Sequence, residues 1–329
     1  MKRIRPDVFS ILILVSAAIS YFFPQLALTE TIPLRHLISM GITLIFFFYG
    51  LKLNLSEIRR DLLNYRLHLV IQFTTFVLFP LLVLLARPFV ASPDKINIWL
   101  SFMFLAALPS TVSSSVVLVS IARGNVPAAI LNATLSGLIG IVLTPFWMGL
   151  FVSKSAADYE WGTIYLKLLT EIVLPVVAGT LLQHYFMGFH AFVRQYNKIF
   201  SRFDQFIILL IVYESFSISF SQNVFGSVDL WDLIVITIAV VVLFYAVYGL
   251  TGIMSSRMGF GYEDTIAARF AGTKKSMLHG SVFYQVIFGT STVPMGLILL
   301  PLMLFHAFQL FVVGVIAGRK GRERAVSKH

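Results

Sequence analysis

Two adjacent lysines, Lys274 and Lys275, stand inside the apolar stretch RFAGTKKSMLHGSVFYQ, residues 269–285. A cation at bilayer depth costs roughly 2.5–3.5 kcal/mol on insertion scales, so it faces a protein interior or a wet cavity. Two side by side point to an anion or a carboxylate nearby. Gly272 and Gly280 flank the pair, as expected where a helix unwinds and restarts and leaves backbone groups free to hold a solute. A second polar interruption lies at LPSTVSSSVV, residues 108–117. Pro109 removes a backbone donor there, so the helix is expected to break. Ser110, Thr111, Ser113, Ser114 and Ser115 follow, hydroxyls that can satisfy freed backbone groups or coordinate a small cation. A single serine in a membrane helix more often bonds its own carbonyl; the cluster directly after a proline favours a site.

Glu171 and Glu214 sit inside apolar segments and are the expected counter-charges for the lysines, either as pairs that fix helix packing or as a proton relay. His279 lies one turn beyond Lys275, where a hydrogen-bonded interior histidine is a commoner outcome than a ligand. No second metal-ligating residue is spaced to join it, so neither a metal nor a cofactor is expected. Asn132, Thr134 and Ser136 could complete a site with Ser114, or could only tie helices together. Tyr284 and Gln285 line a cavity or face a neighbouring helix. A Walker-type phosphate loop is absent, which argues against an ATP-driven pump, and no strand-turn-helix context supports a hydrolase. The chain is not expected to be an enzyme.

The elements that must position these residues follow from composition. Of 329 residues 58% are hydrophobic and 12% charged, with a mean hydropathy of +0.87, which describes a polytopic membrane protein embedded in lipid. With no cysteine, disulfides and thiolate chemistry are excluded. The net charge of +10 needs no nucleic-acid partner once it is sorted by membrane face. Ten apolar segments can be marked, at about 8–24, 34–53, 67–90, 97–121, 126–152, 162–186, 203–221, 231–256, 265–289 and 293–318. The start, MKRIRP, resembles a signal sequence without a small-residue cleavage pattern and is read as leading into a retained first helix. Basic residues gather on one face, from Lys2, Arg3 and Arg5 through Arg59, Arg60, Arg194, Lys198 and Arg202 to Arg319–Lys328, which predicts both termini in the cytoplasm.

Ten spans divide into two halves of five, which must insert with opposite topology if they share a fold. Residues 1–186 then hold the first repeat and helix 6, and residues 187–329 the rest of the second repeat within one membrane domain. A loop at 187–202 is the expected seam, and the basic run GRKGRERAVSKH is expected to be a disordered cytoplasmic tail. The lysine break and the Pro109 break are each fourth of five, the arrangement that points to a transporter's midplane site.

The chain resembles the bile acid:sodium symporter superfamily, and within it the SBF-like branch, over nearly its whole length. FFFYGLKLNL (46–55), QFTTFVLFPL (72–81), LPSTVSSSVVLVSIARGNVPAAI (108–130) and LLTEIVLPVVAGTLLQ (168–183) carry the resemblance. It implies an all-α fold of ten transmembrane helices in two inverted five-helix repeats, with helices 4 and 9 broken and crossing. Where sodium-dependent members have Pro-Gly-Gly-Thr-x-Ser-Asn, this chain has Pro109 to Ser115, keeping the serine at Ser114 and replacing the asparagine with Ser115. Gln72 resembles a third-helix glutamine that helps hold a second sodium. In the ninth helix those members carry Glu-x-Gly-x-Gln-Asn, and this chain has Thr273, Lys274, Lys275, Ser276, Met277 and Leu278. The missing acid sets sodium coupling in question, because an ammonium in or beside a cation site repels Na⁺ and can stand in for it.

The resulting expectation is a secondary transporter, multi-pass in a bacterial inner membrane, that moves a small anionic substrate by alternating access, with Na⁺ or H⁺ as candidate coupling ions. The alternative is a regulatory membrane protein that affects calcium homeostasis without carrying a bulk substrate. A channel is weakened by the lack of a filter motif.

Overall fold

The computed structural model describes residues 8–29, 34–52, 64–89, 93–111, 113–152, 166, 169–186, 188–221, 230–288 and 295–326, all helical or in short connections, with no strand among them. In chain order the helices are α1 (Val8–Phe22), α2 (Gln25–Leu28), α3 (Leu34–Leu51), α4 (Tyr65–Leu85, with a π-turn at Thr74–Leu78), α5 (Pro93–Ala107), α6 (Ser113–Ile121), α7 (Val126–Val152), α8 (Leu174–Tyr185, entered through a π-turn at Leu169–Val173), α9 (Gly188–Ser221), α10 (Leu230–Arg257), α11 (Tyr262–Gly272), α12 (Met277–Phe288) and α13 (Met295–Val326). Four stretches among the described residues are long and apolar enough to cross a bilayer: Tyr65–Leu85, Val126–Val152, Leu230–Arg257 and Gly296–Val326. His36–Leu51 and Lys95–Ala107 are shorter apolar helices. Lys2, Arg3, Arg5, Arg59, Arg60 and Lys328 lie outside the described residues.

The chain forms two compact units. The first comprises residues 1–56, 156–228 and 281–296. Within it α3 and α8 approach backbone to backbone. A Cβ on Gly50 would lie 2.2 Å from the carbonyl oxygen of Val176, and one on Gly179 would lie 2.2 Å from that of Phe47. Small residues at a helix crossing let backbones touch and gain dispersion contact where lipid offers no hydrophobic drive.

In the same unit the expected loop is helix. Residues 188–202 are no loop, because α9 begins at Gly188 and runs unbroken to Ser221. Tyr196, Phe200, Phe203 and Ile207 recur at three- and four-residue spacing and so share one face. Phe200 is buried and stacks on Phe48 at 4.5 Å, while Lys52 reaches Asp204 at 3.6 Å. The mixed polarity that suggests a loop is an amphipathic stripe.

The second unit comprises residues 57–155, 229–280 and 297–329. The expected disordered tail is also corrected here, since α13 continues through Val326. Tyr262 donates its hydroxyl to the Ala122 carbonyl at 2.9 Å and to that of Lys320 at 3.2 Å, and Arg324 lies over the Tyr262 ring at 4.9 Å. Gly321 packs against the end of α6, where an added Cβ would come 2.2 Å from the Ile121 oxygen. Glu323 pairs with Arg319 and Lys320 one turn back, at 2.9 and 3.0 Å. Tertiary docking and local ion pairs thus hold as helix a run whose charge reads as disorder.

Candidate functional site

The site is built in the second unit from three irregularities, each of which frees carbonyls that a regular helix would consume. In α4 the π-turn moves the Phe79 amide onto the Thr74 oxygen, five residues back, so the Thr75 oxygen loses its usual donor. Pro80 has no N–H, so the Phe76 oxygen is released too, and the Trp147 indole N–H takes it at 2.8 Å. Next, α5 stops at Ala107, two residues before Pro109. Thr144 caps the Ala107 oxygen at 2.8 Å, and the Ser110 amide turns to Ser136 Oγ at 2.9 Å, so the Ala106 and Leu108 oxygens await other donors. The third irregularity is the gap between α11, ending at Gly272, and α12, starting at Met277.

Lys275 joins all three. Its Nζ donates to the Ala106 oxygen at 2.6 Å and to the Thr75 and Leu108 oxygens at 2.8 Å each, and it lies 4.2 Å from the Phe79 ring centroid. Three donors meet three orphaned carbonyls over an aromatic face, with no solvent exposure. The carbonyls at the end of α5 are also the negative end of its helix dipole. Carbonyl dipoles therefore compensate Lys275. Glu171 and Glu214, the expected counter-charges, belong to the first unit, where Glu171 accepts from Ser39 Oγ at 2.8 Å and Glu214 from Gln285 Nε2 at 2.6 Å.

Gln309 of α13 clamps the Lys275 backbone: its Oε1 accepts the amide at 3.0 Å and its Nε2 donates to the carbonyl at 2.9 Å. His306, one turn earlier, sits beside Gln309 Nε2 at 3.1 Å. Both are polar residues in an apolar run of α13, a signal available in the sequence. The two interruptions also bond each other. Ser110 Oγ donates to the Ala271 oxygen at 2.7 Å and the Ser276 amide to the Pro109 oxygen at 2.9 Å.

Lys274, likewise buried, donates to Ser114 Oγ at 3.1 Å, and Ser114 meets Thr111 at 2.8 Å. Ser115 is buried within 3.3 Å of the same threonine. Ser113 is the first residue of α6, and Val112 lies outside the described residues. Thr273 returns its hydroxyl to the Arg269 oxygen at 2.6 Å. Ser276 caps α12, accepting from the His279 amide at 3.3 Å and meeting its Nδ1 at 2.9 Å. Gly272 ends α11, whereas Gly280 lies inside α12 and not at its restart. Leu302 and Leu108 crowd its Cα, the former 2.2 Å from where a Cβ would be.

A second polar group lies between α4 and α7. Gln72 Nε2 donates to the Asn132 backbone and side-chain oxygens at 3.0 and 3.1 Å, and Asn132 Nδ2 meets His68 Nδ1 at 2.7 Å. Gln72 Oε1 is buried without a partner. His68, one turn from Gln72, escapes a reading that looks only at breaks. Thr134 bonds back to the Ile130 oxygen at 3.1 Å.

The sequence profile of the SBF-like CPA transporter family matches residues 7–322. The chain is 35% identical to "Uncharacterized protein PA2026" of Pseudomonas aeruginosa over 322 residues, covering 98% of this chain and 95% of that one. It is 33% identical over 321 residues to the Escherichia coli protein named "Putative symporter YfeH", covering 96% and 93%. Rat "Sodium/bile acid cotransporter 7" is 29% identical over 324 residues, covering 96% and 93%. Profile and relatives extend across the broken helices and their supports alike, and the chain belongs to the SBF-like CPA transporter family, an integral-membrane branch of the bile acid:sodium symporter superfamily.

Proposed function

We propose that this membrane protein is a secondary transporter of a small organic anion, working by alternating access around the interruptions at 109–112 and 273–276. The reading takes the chain as ten helices in two inverted five-helix repeats, with both termini in the cytoplasm of a bacterial cell. The observation that carries it is the Lys275 ammonium in a cage of three backbone carbonyls, with Gln309 holding its main chain. Oxygen cages of this kind suit a monovalent cation, and here the cation is tethered to the protein. Lys274, bonded to a serine hydroxyl at the neighbouring break, is the residue assigned to attract the anion. The printed names of the symporter and cotransporter relatives support coupled transport of a small solute.

The test is uptake of a radiolabelled bile acid, as an anionic probe, by proteoliposomes containing the purified protein. Saturable uptake with counterflow, reduced at least tenfold by Lys274→Ala, is expected. Channel-like conductance would overturn the carrier. No flux of bile acids or smaller carboxylates from a monodisperse, reconstituted protein would return the regulatory alternative.

A further inference from the structure

Other buried hydroxyls in this protein find a partner, several of them one turn back on their own helix. Thr75 bonds the Ile71 oxygen at 2.9 Å, Thr251 that of Val247 at 2.7 Å and Ser255 that of Thr251 at 2.8 Å, while Ser110 and Thr144 reach the oxygens of Ala271 and Ala107. Ser217 on α9 and Ser281 on α12 do not. Both are fully buried, and neither Oγ has a hydrogen-bond partner. Each forgoes a carbonyl that helix geometry offers, and a buried hydroxyl left unsatisfied is destabilising.

The two serines share a neighbourhood in the first unit. Glu214 precedes Ser217 by one turn on α9, and Gln285 follows Ser281 by one turn on α12, so each pair lies on one helix face. The two faces meet, because Gln285 Nε2 donates to Glu214 Oε2 at 2.6 Å. Glu214 is 2% exposed, and buried Phe216, Val282 and Phe283 adjoin the serines in sequence. An acid, an amide and two unspent hydroxyls are thus gathered in an apolar surrounding.

We propose that Glu214, Ser217, Ser281 and Gln285 form a binding site for one small monovalent cation. Every available ligand atom is oxygen, the donor type that hard cations take. The set carries one acid and so at most one negative charge, which a monovalent ion balances and a divalent ion would overshoot. Calcium in addition needs six to eight oxygens, more than four side chains supply without a shell of water. The site deepens the transporter reading: Lys275 fills the carbonyl cage, so an ion that couples to transport is bound elsewhere, and this site is where. It rests on that reading only for its use in transport; the binding itself is measured without it.

The test is equilibrium binding of ²²Na⁺ to the purified protein in detergent, with melting in NaCl and choline chloride at matched ionic strength. The parent is expected to bind Na⁺ saturably and to melt higher in NaCl, because a ligand of the folded state raises apparent stability. The Ser217→Ala, Ser281→Ala double variant is expected to bind at least tenfold more weakly. In choline chloride it should melt no lower than the parent, since it loses hydroxyls that bond nothing. Lys275→Met is expected to keep parental Na⁺ affinity, which separates this site from the cage. Unaltered Na⁺ binding in the double variant would overturn the proposal, as would a parent without Na⁺ binding, whose serines then face only water. Counterflow of the anionic probe is read separately, so a failed transport reading and a failed cation site give different results.

Discussion

Replacing Lys275 tests why a lysine can sit buried among backbone carbonyls. Its ammonium makes three hydrogen bonds to carbonyls at 2.6–2.8 Å, and bonds involving a charged group contribute about 1.5–3 kcal/mol each. The Phe79 face, 4.2 Å away, adds about 2 kcal/mol when desolvated. Burial of the ion opposes these terms by several kcal/mol. Lys275→Met keeps the volume and removes the burial cost, but leaves the oxygens of Thr75, Ala106 and Leu108 without a donor at about 1–3 kcal/mol each. The net expectation is a loss of about 3–5 kcal/mol, the range found when one partner of a buried ionic arrangement is removed. Thermal or denaturant unfolding in detergent reads it. Lys275→Ala should be as unstable, yet n-propylammonium, which matches the vacated Cγ-to-Nζ chain, should raise its melting point and leave that of Lys275→Met unchanged. Methionine as stable as lysine, or alanine without rescue by the amine, would refute the cage as the reason for the lysine.

Two further outcomes concern the end of α13. Gly321→Val forces a side chain into a site where even a Cβ would lie 2.2 Å from the Ile121 oxygen, so a loss of about 1–3 kcal/mol is expected in unfolding midpoints; parental stability would show that this end does not dock. Glu323 pairs with Arg319 and Lys320 at 2.9 and 3.0 Å on an exposed face of α13. Exposed pairs of this kind contribute little and are screened by salt. Glu323→Gln should therefore shift the unfolding midpoint only slightly at low salt and not at all at high salt; a shift that persists at high salt would show that the ion pairs are not its source.

The two breaks illustrate what a sequence can decide alone. Pro109 lacks a donor wherever it stands, and lysines in an apolar run must find company, so their places were legible without coordinates. The membrane class follows as directly from a mean hydropathy of +0.87. The identity of the company was not legible. Carboxylates at Glu171 and Glu214 are the obvious partners in a list of residues, whereas backbone carbonyls are present at every residue and carry no sequence signal until a helix is disrupted. Only the π-turn in α4 and the end of α5 reveal which oxygens are freed, and only folding brings them around Lys275, from positions 75, 106 and 108. Residues 188–202 and 319–326 are helical, against the expectation from sequence, for a related reason. Mixed charge and apolar character reads as loop or tail along a line, and becomes a stable helix when one face meets Phe48 or the Ile121 backbone. Local covalent chemistry thus decided where this chain departs from regular helix, and tertiary packing decided which groups use the departures.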